Sequence, residues 1–171
     1  SKKNYSDIDY ALRYSQKTEK TELGFFAARE TDESFSVGRN FYALRSRIDL
    51  GNKTLGYMLT HVDDSFNNKA ASVSVIDYVN VKSDQLTYFT DLLFSEKDDD
   101  SRFGYRSQFN YQPSNFSYVS GSILYFDENF QLNDFGYLRR ADWIHVGLGG
   151  GLKQINFSKE SPVDQIDMNV D

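Results

Sequence analysis

The fold is decided by an alternation that is clearest in the stretch FGYRSQFNY, residues 103–111. Aromatic residues alternate there with glycine or polar residues, namely Phe103, Tyr105, Phe109 and Tyr111 with Gly104, Arg106, Gln108 and Asn110. Successive side chains on a strand point to opposite faces, so this stretch has one aromatic and one polar face. It is predicted to be an amphipathic β-strand.

The same period of two recurs along most of the chain. It marks segments around residues 8–14, 22–28, 39–50 and 86–95, and less regularly 55–62, 70–81, 116–127 and 143–157. Polar separators with turn chemistry lie between these segments, and neither Pro113 nor Pro162 falls inside a predicted strand. The sequence therefore predicts an all-β fold, an antiparallel up-and-down meander of about nine strands over residues 1–158. Residues 159–171 are predicted to be a polar tail or the start of a connecting loop.

The composition excludes several classes of protein. A net charge of −6 lacks the basic footprint of a nucleic-acid-binding protein. The absence of cysteine excludes disulfides and thiolate metal sites, and an aromatic content of 16% argues against disorder. No apolar run reaches the ~18–20 residues of a membrane helix. No cofactor and no metal site are predicted.

The charged residues on the polar faces indicate which medium each face of the sheet contacts. In a small soluble barrel, Arg45, Arg47, Asp91 and Arg106 would point outward around an aromatic core. In a transmembrane barrel they would line a wet lumen, and Tyr, Phe and Leu would face lipid. We expect these four residues to face a lumen.

Aromatic positions favour the transmembrane alternative. Several lie near the ends of the apolar stripes, where interfacial girdles would sit: Tyr10, Tyr14, Tyr42, Phe103 and Tyr111. The segments are also about 9–11 residues long, enough for a tilted strand to cross a bilayer. The meander is therefore predicted to be part of a transmembrane β-barrel.

One stretch carries a family resemblance. Residues 123–143, ILYFDENFQLNDFGYLRRADW, resemble the barrel of the DUF5916 family. In that family a Gly-aromatic-aliphatic-x-Arg-x-Asp motif opens a strand, and here it falls on Gly136, Tyr137, Leu138, Arg140 and Asp142. The resemblance implies a bacterial outer-membrane location and a longer protein, of which this chain is an excised barrel portion. It also implies a carbohydrate-binding-like β-sandwich of the family 9 kind ahead of the barrel, and the family's hydrolase and sugar-binding labels rest on that other domain.

Two acidic groups were weighed as chemical sites. Asp77 and Asp91 could form the carboxylate pair of a glycosidase, although solvated polar residues in a lumen are the favoured interpretation. The run 98–100 lacks the glycine and glutamate of a calcium loop, which favours an acidic surface turn. The only histidines, His61 and His145, lie far apart in the sequence and lack companions for a metal site or a triad.

Two further motifs have structural interpretations. The glycines 147 and 149–151 lack the lysine of a phosphate loop and favour a bend or bulge in a strand. Gly136 is expected to form a sharp turn, with Arg140 and Asp142 paired to fix the start of the next strand. A basic stripe of Arg45, Arg47 and Arg106 could attract anionic solutes, with Asp49 and Asp91 neutralising it.

The favoured function is that of a non-enzymatic segment of a bacterial outer-membrane β-barrel that binds or passes carbohydrate or another solute. Its expected partners are outer-membrane lipid, the remaining strands of the same barrel and carbohydrate, with no nucleic acid. The alternative is a soluble β-barrel that binds a small apolar ligand, and a glycoside hydrolase is the least favoured. Open first and last strands would expose unpaired backbone groups, so the chain is not expected to be an autonomous unit.

Overall fold

A computed structural model describes residues 7–32, 37–64, 69–97, 100–130, 142–154 and 166–170. The strands follow in chain order as β1 (Ile8–Lys17), β2 (Thr21–Glu30), β3 (Asn40–Asp49), β4 (Lys53–Asp64), β5 (Lys69–Ser83), β6 (Leu86–Lys97), β7 (Asp100–Ser114), β8 (Ser117–Phe126), β9 (Trp143–Gln154) and β10 (Ile166–Val170).

All ten strands form one antiparallel sheet in which every strand pairs with its neighbours in the chain. The all-β, up-and-down meander predicted from sequence is therefore confirmed. Within the described residues β1 pairs only with β2 and β10 only with β9, so the sheet is open and not closed into a barrel. β10 adds a strand within residues 159–171, the segment predicted to be a polar tail or connecting loop, and the boundary at residue 158 lies outside the described residues.

Four tight turns share one end of the sheet, which we call the turn end. They follow β1, β3, β5 and β7, and in each a side-chain oxygen just before the turn accepts a backbone N–H within it. Thr18 Oγ1 accepts from Thr21 at 3.0 Å, and Asp49 Oδ1 accepts from Gly51 at 2.8 Å. Ser83 Oγ and Ser114 Oγ each accept an N–H at 3.2 Å. These side chains compete for backbone donors and stop the ladder, which explains why short polar separators end the strands here.

The turn after β3 also needs a glycine. Gly51 has a φ of 88°, a left-handed conformation that costs a residue with a Cβ atom more than it costs glycine. Its N–H is the one that Asp49 accepts, so the two residues fix this hairpin together.

The opposite end, which we call the loop end, carries the connections after β2, β4, β6 and β8. The first of these is closed by Glu30, whose carboxylate accepts hydrogen bonds from Nε and Nη2 of Arg39, both at 2.9 Å. Asp32 accepts the N–H of Gly38 at 2.8 Å, and this bond, with Arg29 as a smaller cause, lowers the pKa of Asp32. The connection from β8 to β9 is longer, running from residue 127 to residue 142.

Each tight turn lies further along the strand direction than the one before it. A single row of paired residues runs from Lys17 in β1 through Arg47, Asp77 and Arg106 in β3, β5 and β7. These residues lie zero, two, six and eight positions before the turn ends of their strands. With about 3.3 Å per residue and about 4.8 Å between strands, the stagger tilts the strands by roughly 40° from the normal to the line of turns.

The sheet buries one face through its own curvature. Contacts between elements join only adjacent strands among the described residues, so no second sheet packs on either face. In β4, Thr54, Thr60 and Val62 are nevertheless 9%, 7% and 4% exposed, whereas Leu55 and Tyr57 are 45% and 37% exposed. The face that bears Thr54 is therefore concave, and the face that bears Leu55 is convex.

Two local predictions need correction. Pro113 lies inside β7, where the pairing with β8 shifts register between Tyr111 and Ser114. A strand tolerates proline at such an irregularity because no ladder hydrogen bond is lost there. The glycines 147 and 149–151 form no bulge, since the pairing of β8 with β9 runs through them without a shift.

Candidate functional site

The concave face carries a row of charged side chains across the sheet. Direct pairing places six of them in register, which we call the charge row: Lys17, Glu22, Arg47, Asp77, Asp91 and Arg106. The same row meets Gly56 in β4 and ends at Leu124 and His145 in β8 and β9. The strand pairing thus places on one line charged residues that are spread over ninety residues of the sequence.

Arg45 joins this row from the neighbouring position in β3. Its guanidinium crosses β4 and binds the carboxylate of Asp77 in β5 with both terminal nitrogens, Nη2 to Oδ2 at 3.0 Å and Nη1 to Oδ1. Gly56 lies below this contact. A Cβ atom there would lie 2.5 Å from Asp77 Oδ1 and 2.7 Å from Arg45 Nη2, so glycine leaves room for the pair in this geometry and a larger residue would displace it.

A second arginine holds the adjacent carboxylate. Arg106 donates from Nε to Asp91 Oδ2 at 2.7 Å and also contacts it through Nη2. Asp91 lies directly opposite Asp77, and like charges in that position destabilise a sheet. The two arginines approach from outside the acidic pair and offset this repulsion. The result is a quartet in the order Arg45, Asp77, Asp91, Arg106.

The remaining charges form a second group nearer to β1. Glu22 contacts Lys17 and lies 3.9 Å from Nη1 of Arg47. Lys17, Arg45, Arg47 and Arg106 supply four positive charges along the line. Glu22, Asp77 and Asp91 supply three negative charges, so the line is close to neutral.

The residues predicted to face a lumen are found together. Arg45, Arg47, Asp91 and Arg106 all lie on the concave face, and each has an ionic partner. Asp49, one predicted neutraliser, instead closes the turn at Gly51.

Sequence reasoning missed Glu22 as the partner of Arg47. It considered Asp77 as a neighbour of Asp91 but did not identify it as the partner of Arg45. The strand register aligns both carboxylates with the arginines, and a sequence specifies that register only weakly.

The two carboxylates considered as a glycosidase site are neighbours in the sheet. Asp77 and Asp91 are opposite each other, as the sequence analysis considered. A glycosidase needs one carboxyl to donate a proton and the other to reach the sugar or a water. Here both carboxylates are occupied by arginine side chains, so the geometry gives no support to that chemistry.

The other candidates take no part in the ion pairs of the row. His61 Nδ1 lies 2.9 Å from Ser72 Oγ on the convex face, and His145 lies on the concave face with its ring centroid 5.7 Å from that of Trp143. Asp98 and Asp99 lie outside the described residues, and Asp100 forms an ion pair with Arg102 at 2.7 Å. The described ranges contain no cluster of histidine and acidic residues able to hold a metal ion.

Most of the family-like motif cannot be placed. Gly136, Tyr137 and Arg140 lie outside the described residues, as does the expected pair of Arg140 with Asp142. Asp142 itself has a φ of 53°, and its N–H donates to the carbonyl oxygen of Asp127 at 3.2 Å.

Asp127 is the hub of the loop end beside β8. Its carboxylate accepts the Tyr125 hydroxyl and, at 2.9 Å, the N–H of Phe103. These two hydrogen bonds, the tyrosine's first, lower the pKa of Asp127. Its carbonyl oxygen accepts the N–H of Phe130 at 3.2 Å in addition to that of Asp142.

Comparisons of the chain with models of protein families, with curated proteins and with solved structures found no match. In the part of the chain that the structure describes, no helix has the length and apolar character to cross a membrane.

Proposed function

We propose that this chain is a wall segment of a bacterial outer-membrane β-barrel, with the concave face lining a polar lumen and the convex face in contact with lipid. The observation that carries the proposal is the inversion of the two faces. Paired charges and threonines lie on the sheltered side beside a few buried apolar residues such as Val62 and Val73, and most of the large exposed apolar residues lie on the other side. Outer-membrane barrels have this arrangement because their outer solvent is hydrocarbon.

The convex face has an aliphatic belt at mid-height, interrupted on β7 by Ser107, whose hydroxyl bonds to that of Tyr88 at 3.0 Å. Its members lie five to seven residues from the turn end of their strands: Leu12, Leu44, Leu59, Ile76, Leu92 and Ile123. On the turn side lie the aromatic residues Tyr14, Phe25, Tyr57, Tyr78, Tyr88, Phe109 and Tyr111. On the loop side lie Tyr10, Tyr42, Phe94, Phe103, Tyr105 and Tyr125. An aliphatic band between two aromatic girdles is typical of a barrel that crosses a bilayer.

The height of this band fits a membrane. Tyr88 and Phe94 bracket it on β6, and Tyr111 and Phe103 bracket it on β7. At roughly 3.3 Å per residue and a tilt of roughly 40°, these α-carbons are roughly 15–20 Å apart along the barrel axis. The rings themselves widen the band toward the ~25 Å of known outer-membrane barrels. Nearer the loop end the convex face becomes polar, with Asn40, Asp63, Glu96 and Ser101.

The two ends support an orientation. Outer-membrane barrels have short periplasmic turns and longer extracellular loops. The four tight turns would then face the periplasm, and the connection over residues 127–142 would face outward. Two connections depart from this rule. The one from β6 to β7 lies at the loop end but spans only two residues, and the one from β9 to β10 is long and starts at the turn end.

The charge row points to the class of solute. Because each arginine on the line has an acidic partner, the wall attracts anions weakly, and uncharged or zwitterionic polar solutes fit it better. Carbohydrate belongs to this class and agrees with the resemblance to the DUF5916 family. Further strands of the same barrel would pair with the open edges of β1 and β10. The role proposed is binding or passage, without catalysis.

The matched pair Phe25 and Phe26 tests the proposal. They are adjacent in β2, both are 37% exposed, and they point to the convex and the concave face respectively. In the complete protein in outer-membrane vesicles, with no other cysteine, Phe26→Cys should react with a water-soluble maleimide added after the vesicles are opened. Phe25→Cys should react only after the protein is denatured.

Equal reaction of both cysteines in the native membrane would exclude a lipid-facing convex surface. Recovery of the unheated protein in the soluble fraction would favour the alternative of a soluble ligand-binding barrel. The anionic-stripe hypothesis has its own test, because unchanged anion passage after replacing Arg45 and Arg47 by alanine would end it.

A further inference from the structure

A group of aromatic side chains lies on the concave face at the loop end of β8. Phe126 pairs with Gly104 and Trp143, which lie two residues from Arg106 and His145 and so share the concave face with them. Phe126 therefore points to the concave side. The ring of Phe130 lies 5.0 Å from that of Phe126, and Phe130 is 3% exposed. The chain after β8 thus folds back over the concave face instead of continuing away from the sheet.

The sheet provides a recess for this fold. A Cβ atom at Gly104 would lie 2.8 Å from Cδ1 of Phe126 and 3.3 Å from Cβ of Leu93. Glycine at this position lets the Phe126 ring approach the backbone of β7. Phe130 then forms a second aromatic layer on top of the first.

Hydrogen bonds fix the turn that carries Phe130. The Asp127 N–H donates to the carbonyl oxygen of Phe103 at 3.0 Å, and the Asp127 carboxylate accepts the Phe103 N–H at 2.9 Å. The carbonyl oxygen of Asp127 accepts the Phe130 N–H, and Asn129 takes a φ of 61° that turns the chain inward. Asparagine tolerates this left-handed conformation better than most residues.

We propose that residues 126–130 form an inward step of the barrel wall that narrows the lumen at its loop end. Phe130 is the positioning residue, because its ring holds residues 127–130 against the inner wall. A second ring layer extends the wall by about 5 Å, the usual separation of packed aromatic rings. This inference rests on the proposed function, since it requires that the concave face line a pore.

The test is the conductance of the complete protein in planar bilayers, with exclusion of uncharged polyethylene glycols of graded size. Phe130→Ala should raise the conductance by about 1.5-fold and admit a larger polymer, because pore width limits passage. Gly104→Val should act in the opposite direction, since its side chain would push Phe126 inward. Phe94→Ala is the matched control, since Phe94 lies near the same end on the convex face.

Folding of each variant is checked by the mobility shift of unheated samples on a gel. If folded Phe130→Ala and Gly104→Val both leave conductance and polymer cut-off unchanged, the inward step is wrong while the pore stands. If the natural protein itself forms no pore, the proposed function fails, and this inference fails with it. If Phe130→Ala does not fold, a conductance unchanged by Gly104→Val is sufficient to overturn the proposal.

Discussion

The two faces of the sheet differ in which side chains they shelter and which they expose. On the concave face, β4 shelters Thr54 and Thr60, whereas on the convex face it exposes Leu55 and Tyr57. In a protein surrounded by water, sheltered positions are usually apolar and exposed ones polar. Here the sheltered face carries charged pairs and threonines together with Val62 and Val73, and the exposed face carries large apolar residues. This arrangement fits the proposal that lipid lies outside the convex face.

The largest effect should come from a charge placed on the convex face. Ile123 lies on that face at mid-height in β8, and its neighbour Ser122 lies on the concave face opposite Gly147. Ile123→Arg should destabilise the protein in lipid by about 2–4 kcal/mol, the cost of arginine at a bilayer midplane. Urea titration of folding into lipid vesicles measures this.

Ser122→Arg is the control for that substitution. It adds the same side chain one residue away, toward the polar face and beside a glycine that leaves room for it. We expect a change of less than about 1 kcal/mol, typical of surface substitutions. Similar costs for the two variants would remove the distinction between the faces.

The next effect concerns the ion pair that crosses β4. Gly56→Ala places a methyl group where Asp77 and Arg45 meet, so the pair must open. Separating a half-buried carboxylate from its partner should lower the free energy of unfolding by about 1–3 kcal/mol.

Gly24→Ala is the matched control for Gly56→Ala. Gly24 lies on the same face one strand beyond β3, and the nearest atom to its added Cβ would be Arg45 Cβ at 3.9 Å. This ordinary contact should leave stability nearly unchanged. Equal losses at the two glycines would mean that the Gly56 effect reflects strand propensity and not the ion pair.

The contrast between the faces was predictable from sequence, but the contacts within each face were not. Alternation with a period of two placed Arg45, Arg47, Asp91 and Arg106 together, because it follows from backbone geometry alone. The partners Glu22 and Asp77 depend on register, which the turns set and the strands themselves specify weakly.

The remaining misses have similar causes. β10 was not predicted because five residues carry too little periodic signal, and its pairing with β9 gives it a place in the sheet. Pro113 was expected outside the strands because the irregularity that tolerates it lies in the pairing of two strands. Both features depend on contacts between segments distant in sequence.

A smaller effect should appear in the ion selectivity of the concave face. Asp77→Asn with Asp91→Asn removes two negative charges and leaves Arg45 and Arg106 without their partners. The permeability ratio of chloride to potassium should rise by about twofold to threefold, since wall charges select ions. The reversal potential in a low-salt gradient measures this, because salt screens such charges.

Asp49→Asn is the control for this change, since Asp49 lies at the turn end and binds the N–H of Gly51. It should leave the ratio close to that of the natural protein. An unchanged ratio in the double variant would mean that the charge row does not face the path of the ions.

The smallest effect concerns hydrogen exchange at the loop end, where Asp127 binds Tyr125 and Phe103. Hydrogen bonds from the Tyr125 hydroxyl and the Phe103 N–H hold the pKa of Asp127 below its ordinary value of 3.8. A carboxyl with a lowered pKa stabilises the folded state fully above its ordinary value, and this contribution is lost as the pH falls through the folded-state pKa. Protection of the Phe103 amide from hydrogen exchange, corrected for the intrinsic rate, should therefore stay constant from neutral pH to about pH 4 and fall below that.

Asp127→Asn should lower protection by about fivefold at neutral pH, since a neutral acceptor binds more weakly than a carboxylate, and should abolish the acid step. An acid step that persists in Asp127→Asn would assign it to another group, and Asp32, whose pKa is also lowered, would be the next to replace.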